Sequence, residues 1–167
     1  MKPIKVLLVD DHKLFREGIK ALLELRDDIE IIGEASNGEE AIVQARRFQP
    51  EMILMDIRMP VMGGVDAIKA IKLELPWIQI VALTVSDEDS DLIGAIKAGA
   101  QGYILKNTSS DDLVRQLKGV RAGESALSGL MATKILAEFN NALITPKVLE
   151  RVERDQALLI VKWKYCN

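Results

Sequence analysis

The chain has 167 residues, of which 49% are hydrophobic and 28% are charged, a balance typical of a globular protein with one ordinary domain and a short appendage. Its formal net charge of −3 is too mild to favour non-specific binding to a polyanion. The single cysteine, Cys166, excludes a disulfide framework and a cysteine-rich zinc site. No secretion leader precedes the first apolar run, and no run reaches the roughly 18 residues that cross a bilayer. We therefore expect a cytoplasmic protein without a membrane segment.

Five short apolar runs alternate with amphipathic segments over the first 121 residues. The apolar runs predict strands at residues 4–9, 29–35, 78–84 and 102–106, and in the run that ends at Asp56. Helical spacing predicts helices at residues 12–25, 39–48, 64–74, 87–98 and 110–121. Asp11 is the expected N-cap of the first helix. Such alternation predicts right-handed crossovers, and hence an α/β fold of the flavodoxin-like, doubly wound type: a five-stranded parallel sheet of order 2-1-3-4-5 with helices on both faces.

The character of the sequence changes after Gly123. Residues 127–139 have the pattern of another helix, and Asn140–Asn141 predicts a break. Thr145–Pro146 is typical of the start of a last helix over residues 146–157. We expect three regions. A main domain covers residues 1–122, a linker helix over 123–144 forms a C-terminal helical extension, and an atypical segment covers 145–167.

Polar residues mark the ends of four of the predicted strands. They are Asp10 and Asp11 after strand one, Asp56 after strand three, Thr84 after strand four and Lys106 after strand five. Because the carboxyl ends of parallel strands meet at one edge, we expect these side chains to converge. Clustered carboxylates repel each other unless a cation is held between them, and all-oxygen ligands suit Mg²⁺. An aspartate in such a site can attack a phosphoryl group while lysine and Mg²⁺ take up charge.

Each of these residues also has an ordinary structural interpretation. Asp10 and Asp11 could cap a helix, Asp56 could form a turn, Thr84 could end a strand and Lys106 could be a solvated lysine. Taken singly, each ordinary interpretation is the better one. The order of all five, after strands one, three, four and five, favours the functional interpretation.

Several motifs resemble the receiver domains of two-component response regulators. They are Asp10–Asp11, residues 56–64 (DIRMPVMGG), Leu83–Thr84, residues 99–103 (GAQGY) and residues 104–106 (ILK). The resemblance makes residues 1–122 the receiver domain and implies that Asp56 accepts a phosphoryl group from a histidine kinase. It implies a signalling protein rather than an enzyme, because the only chemistry is this transfer and self-dephosphorylation.

By the same resemblance, the acidic residues form a Mg²⁺ site. Asp11 and Asp56 would bind the ion directly, together with the backbone carbonyl of Arg58, and Asp10 would act mostly through water. The side chains of Arg58 and Ser86 would flank the path of an attacking water. Their bulk would therefore tune the lifetime of the phosphorylated state.

The resemblance also implies a switch. Thr84 would hydrogen-bond to the phosphoryl oxygen, Lys106 would pair with the phosphoryl group, and Tyr103 would change rotamer as Thr84 moves. Such a response is a two-state surface biased by a local change in charge. The readout face would consist of the fourth helix, the fifth strand and the fifth helix.

Beyond the receiver, residues 122–128 and 137–139 resemble the linker of the branch whose output is a LuxR-type helix-turn-helix. Only 22 residues follow Thr145, whereas a four-helix DNA-binding module needs roughly 60. We expect transcription-related signalling and a homodimer on phosphorylation, but no tight DNA binding by this chain. The segment 145–167 would be either the remnant of a truncated or frameshifted regulator or an evolved contact surface.

Other functions remain as alternatives. The nearest is a stand-alone receiver that acts through protein–protein contact. A phosphatase of the haloacid-dehalogenase type also uses an aspartate nucleophile with Mg²⁺, but its Asp-x-Asp motif does not match Asp10-Asp11-His12. A flavodoxin-like cofactor binder would need a glycine- and hydroxyl-rich phosphate loop after strand one, where this chain has none. We interpret His12 as a helix-start residue beside the pocket.

Overall fold

The computed structural model describes residues 2–143. Its strands are β1 (Ile4–Val9), β2 (Ile29–Ala35), β3 (Met52–Met55), β4 (Gln79–Thr84) and β5 (Gly102–Leu105). Its helices are α1 (Lys13–Glu24), α2 (Gly38–Phe48), α3 (Gly64–Glu74), α4 (Asp89–Ala98), α5 (Ser110–Arg121) and α6 (Gly129–Leu143). Among these helices, none is long and apolar enough to cross a membrane.

The five strands form one parallel sheet in the order β2-β1-β3-β4-β5, which confirms the predicted topology. The interior strand β3 is covered on both faces, and its four residues, Met52–Met55, are all 0% exposed. Val9 at the end of β1 is in register with Met55 at the end of β3. The residues that follow these two strands are therefore neighbours at the carboxyl edge of the sheet.

Successive residues of β1 point to opposite faces of the sheet, so both faces carry apolar side chains. On one face, Val6 and Leu8 belong to an apolar cluster with residues of α1 and α5, including Leu23 and Leu117. Burial of a side chain of this size contributes about 1.5–3 kcal/mol. This packing holds the strands rigidly in place and so fixes the edge at which they end.

The start of α1 differs from the prediction. The expected N-cap, Asp11, is wrong, because His12 occupies the N-cap position and makes no side-chain capping bond. Asp10 Oδ1 instead accepts a hydrogen bond from the backbone N–H of His12 at 2.8 Å. At α2 the usual arrangement is present, since the Asn37 side chain accepts from the backbone N–H of Glu40 at 3.0 Å.

The chain divides into two compact units after Ser128. In the second unit, the predicted break at Asn140–Asn141 is wrong, because α6 continues through both residues to Leu143. Asparagine is a weak helix former, but its cost of at most about 0.7 kcal/mol per residue is too small to end a helix of this length. The segment predicted over 145–167, with its helix at 146–157, lies outside the described residues.

Gly64 begins α3 where the loop after β3 returns to the end of that strand. A Cβ on Gly64 would lie 2.1 Å from the carbonyl oxygen of Asp56, and the Gly64 N–H donates to the Ile57 carbonyl at 2.8 Å. Only glycine, which has no Cβ, fits at this close approach of the backbone. In the same loop Val61 has a φ of 68°, which costs a β-branched residue on the order of 1–3 kcal/mol.

Replacing Gly64 with Ala should lower the free energy of unfolding by about 3 kcal/mol, because backbone, rather than a flexible side chain, meets the new methyl group. Gly18→Ala is the matched control, since a Cβ at Gly18 in α1 has nothing within 4 Å. That change should raise the free energy of unfolding by about 0.5–1 kcal/mol. Urea unfolding followed by circular dichroism measures both, and a harmless Gly64→Ala would contradict the close approach.

Candidate functional site

The ends of β1 and β3 bring a group of acidic side chains into one pocket. Asp10 and Asp56 are almost fully buried, with 2% and 3% of their surface exposed. One potential ligand atom from each of Asp10, Asp11, His12 and Asp56 lies within 4.8 Å of all the others. The structure thus brings together the three carboxylates that the sequence places at this edge, and His12 joins them.

Lys106 directly follows β5, and its ammonium group contacts two of these carboxylates. Its Nζ lies 2.6 Å from Asp10 Oδ2 and 2.9 Å from Asp56 Oδ2. Burial by itself would lower the pKa of Lys106, but the hydrogen bonds to Asp10 and Asp56 outweigh it and raise the pKa above its ordinary value. The Phe15 ring lies 4.4 Å from the same nitrogen, a cation–π contact that the sequence analysis missed.

The carboxylate of Asp56 is held in a fixed orientation. Its Oδ1 accepts a hydrogen bond from the backbone N–H of Ile57 at 2.7 Å, and its Oδ2 accepts one from Lys106. The Asp56 backbone N–H donates to the Val9 carbonyl at 2.9 Å, which continues the pairing of β1 and β3. Asp56 is therefore oriented by the sheet itself and by one side chain.

The donor set fits a divalent cation. Three carboxylates and one ammonium group leave two unbalanced negative charges in the pocket. Asp11 Oδ1 is buried and accepts no well-oriented hydrogen bond, although His12 Nδ1 lies 3.1 Å from it. An unsatisfied buried carboxylate oxygen is costly, and a hard cation with oxygen ligands would satisfy it.

The end of β4 is connected to β5 by buried hydrogen bonds. Thr84 is fully buried, and its Oγ1 accepts from the backbone N–H of Ser86 at 3.2 Å. Tyr103 of β5 is also buried, and its hydroxyl donates to the Ser86 carbonyl at 2.8 Å. Thr84, Ser86 and Tyr103 therefore form a connected group beside the acidic pocket.

The side chain of Arg58 extends to the start of α4. Its Nε donates to Asp91 Oδ2 at 2.8 Å, and a second guanidinium nitrogen lies 2.5 Å from Glu88 Oε2. The hydrogen bonds to Asp91 and then to Glu88 raise the pKa of Arg58. No local sequence pattern marks these partners, because they lie some 30 residues from Arg58 along the chain.

A doubly wound parallel sheet with a buried acidic pocket and a lysine bridging two of its carboxylates is the architecture of a signal receiver domain. Residues 6–118 match the family described as the response regulator receiver domain. The chain therefore belongs to the response regulator receiver family. A receiver of this family implies a cognate histidine kinase, and the family is one of signalling domains rather than of enzymes.

Similar proteins lie in the branch with LuxR-family members. The response regulator protein VraR of Staphylococcus aureus is 38% identical over 159 residues, which are 95% of this chain and 76% of VraR. A LuxR-family two-component response regulator from Aurantimonas is 31% identical with a TM-score of 0.75, over 82% of this chain and 98% of that one. The signal receiver domain assigned to NarL from Mycobacterium tuberculosis is 30% identical with a TM-score of 0.70, over 74% and 100% of the two chains.

The buried hydroxyl of Tyr103 predicts a loss of stability at alkaline pH. Burial, together with the charge of Asp91, raises the pKa of Tyr103 from 10.0 to about 12. Because the folded site favours the neutral phenol, the contribution of Tyr103 to stability is complete below the pKa that this residue has in the unfolded chain. The contribution is lost as the pH rises from that value toward the pKa of Tyr103 in the folded protein.

Urea unfolding at about pH 9 and about pH 11 measures this effect. The wild type should lose more stability over that interval than Tyr103→Phe, which cannot ionise. Equal losses in the two proteins would contradict the assignment.

Proposed function

We propose that this chain is a phosphorylation-operated switch in which Asp56 accepts a phosphoryl group from a phosphohistidine of a histidine kinase. The observation that carries the proposal is the 2.9 Å contact between Lys106 and the Asp56 carboxylate, in a pocket shared with Asp10 and Asp11. An Asp56 oxygen would attack phosphorus, the bond from phosphorus to the kinase histidine nitrogen would break, and an acyl phosphate would form. Membership of the receiver family supports this reaction.

Lys106 and Thr84 are the groups we propose to act on the phosphoryl oxygens. The raised pKa of Lys106 keeps its ammonium group charged at neutral pH, next to the atom that would carry the phosphoryl group. Thr84 ends β4 at the same edge of the sheet, and its hydroxyl would turn from the Ser86 N–H to a phosphoryl oxygen. Both roles follow from charge and position, since phosphoryl transfer relies mainly on orientation and electrostatic stabilisation.

We propose Mg²⁺ as the cation of this pocket. Asp11, Asp56 and the backbone carbonyl of Arg58 would hold it, with Asp10 acting through water. When bound, the ion would screen the carboxylates and stabilise negative charge on the phosphoryl oxygens. The two unbalanced negative charges and the unsatisfied Asp11 Oδ1 support this choice.

The output we propose is a change at the face formed by α4, β5 and α5, used in the control of transcription. Movement of Thr84 would disturb the Ser86 backbone and thereby the hydrogen bond from Tyr103. Similarity to a LuxR-family regulator supports the link to transcription. The alternative is a stand-alone receiver that acts through protein–protein contact.

Around this core we propose the following organisation. Residues 1–122 are the receiver, residues 123–144 contain a linker helix and residues 145–167 are an atypical C-terminal segment. The exchange with the kinase takes place in the cytoplasm, and phosphorylation promotes a homodimer. The lifetime of the acyl phosphate depends on the bulk of Arg58 and Ser86 at the pocket entrance.

Phosphorylation of Asp56 is tested with a small phosphodonor and Mg²⁺, followed by intact mass spectrometry. The wild type should gain one labile phosphate, and Asp56→Asn should gain none, because an amide is not a nucleophile toward phosphorus. Asp66→Asn is the matched control, since Asp66 is an exposed carboxylate of α3 and should leave labelling unchanged. Equal labelling of Asp56→Asn, or none of the wild type, would refute the proposal.

The proposed homodimer is tested by sedimentation velocity of the full chain with and without the phosphodonor. Phosphorylation should shift a monomer population toward dimer, and Asp56→Asn should stay at its starting distribution under both conditions. A coupling free energy typical of such switches, about 1–3 kcal/mol, would tighten the dimer about 5- to 150-fold. A wild-type distribution that does not respond to phosphorylation would count against this output.

A further inference from the structure

The open edge of β5 is covered by the segment that follows α5. β5 is the last strand of the sheet and pairs with β4 on one side only. On its other side, the Tyr103 backbone N–H donates to the Ala126 carbonyl at 2.8 Å, and the Ala126 N–H donates to the Gln101 carbonyl at 3.3 Å. These bonds satisfy groups that an edge strand would otherwise leave open. We call residues 124–128 the strap, and α6 begins at the next residue, Gly129.

The strap is seated against β5 by close packing at one glycine. Gly102 and Ala126 form a parallel bridge, and Ala126 is buried in the same apolar cluster as Ile104 and Leu117. A Cβ on Gly102 would lie 2.7 Å from the Ala126 Cβ and 3.1 Å from the Ala126 carbonyl oxygen. The strap therefore fits because this residue of β5 has no side chain. A methyl group and a pair of hydrogen bonds form a contact small enough to open locally, without unfolding of the sheet.

Tyr103 joins the strap to the end of β4. Its hydroxyl donates to the Ser86 carbonyl at 2.8 Å, while its backbone N–H is bonded to the strap. Movement of Thr84 toward a phosphoryl group, as proposed above, would withdraw the Ser86 partner, and a buried hydroxyl without a partner is costly. The ring is buried, so it cannot move without a response from its neighbours. A closely packed contact, such as that of Gly102 with Ala126, has discrete arrangements rather than a continuous range.

We propose that phosphorylation of Asp56 releases the strap from β5, so that the docking of the strap is one output of the switch. The inference rests on the proposed function, since the phosphoryl group on Asp56 supplies the change. β5 belongs to the face proposed above as the output, and the strap leads directly into α6. Release would therefore pass a change at the pocket to the segment that follows the receiver.

Amide hydrogen exchange distinguishes release of the strap from a purely protective role. The probe is beryllofluoride, a stable mimic of a phosphoryl group on aspartate, which is added with Mg²⁺ to the full chain and followed residue by residue by NMR. Release should accelerate exchange at the Tyr103 and Ala126 amides about 5- to 150-fold, the usual range of coupling between two sites. The Gln101 amide is the internal control, since it donates to Ile80 of β4 at 2.8 Å and should change less than about twofold. A strap that only protects the strand edge would leave all three amides at their starting rates.

Coupling is reciprocal, so a strap that is already released should favour binding of the mimic. In Ala126→Asp a buried, unpaired carboxylate would be costly, which disfavours docking, and in Gly102→Ala the new methyl group meets the Ala126 Cβ. Each variant should exchange rapidly at the Tyr103 amide without the mimic. Each should also bind beryllofluoride more tightly than the wild type, by about the factor that the mimic produces in exchange. Ser125→Asp is the matched control, because Ser125 is exposed and the variant adds the same charge while keeping both wild-type values.

Two results would overturn the inference alone. One is binding of beryllofluoride that requires Asp56 but does not accelerate exchange at the Tyr103 and Ala126 amides. The other is a released strap in Ala126→Asp with unchanged affinity for the mimic. Failure of the mimic to bind, or equal binding by Asp56→Asn, would overturn the inference together with the proposed phosphoacceptor. If Gly102→Ala does not fold, Ala126→Asp gives the same comparison, and the exchange rates of the wild type test the inference without any variant.

Discussion

Repulsion between buried carboxylates is the constraint on which this pocket depends. Asp10 and Asp56 follow neighbouring strands with almost no exposure, and buried like charges repel each other unless a cation lies between them. Lys106 supplies that cation by contacting both carboxylates, and their charge in turn makes its own burial tolerable. Removing Lys106 would leave the two buried carboxylates with uncompensated charge, so the pocket depends on this lysine.

Two kinds of contact surround this pocket, and they differ in rigidity. The β1–β3 register, the buried strand β3 and the close approach at Gly64 hold Asp56 through backbone pairing and packing. The contacts of Arg58 with Glu88 and Asp91 are exposed ion pairs, and such pairs are individually weak. The proposed phosphoacceptor is therefore held rigidly, whereas the ion pairs beside it can rearrange at low cost, which suits the proposed two-state switch.

Much of the fold follows from local patterns, and particular residues show where those patterns fail. Apolar runs alternating with amphipathic segments correctly predicted the five strands and their order. Asp11 was wrong as a cap because local propensity does not reveal that the preceding carboxylate reaches the N–H of His12. Asn140–Asn141 was wrong as a break because a weak propensity does not stop a helix that is otherwise favourable.

The sequence by itself determined that a carboxylate pair, Asp56, Thr84 and Lys106 mark the ends of strands one, three, four and five. These residues converge because parallel strands place their carboxyl ends at one edge. Only the tertiary structure decided which of these groups touch. It joined Lys106 to Asp10 as well as to Asp56, covered the ammonium group with Phe15, and turned Arg58 toward α4. Those contacts join residues far apart in the chain, and side-chain direction across such distances is set by packing, which no local pattern records.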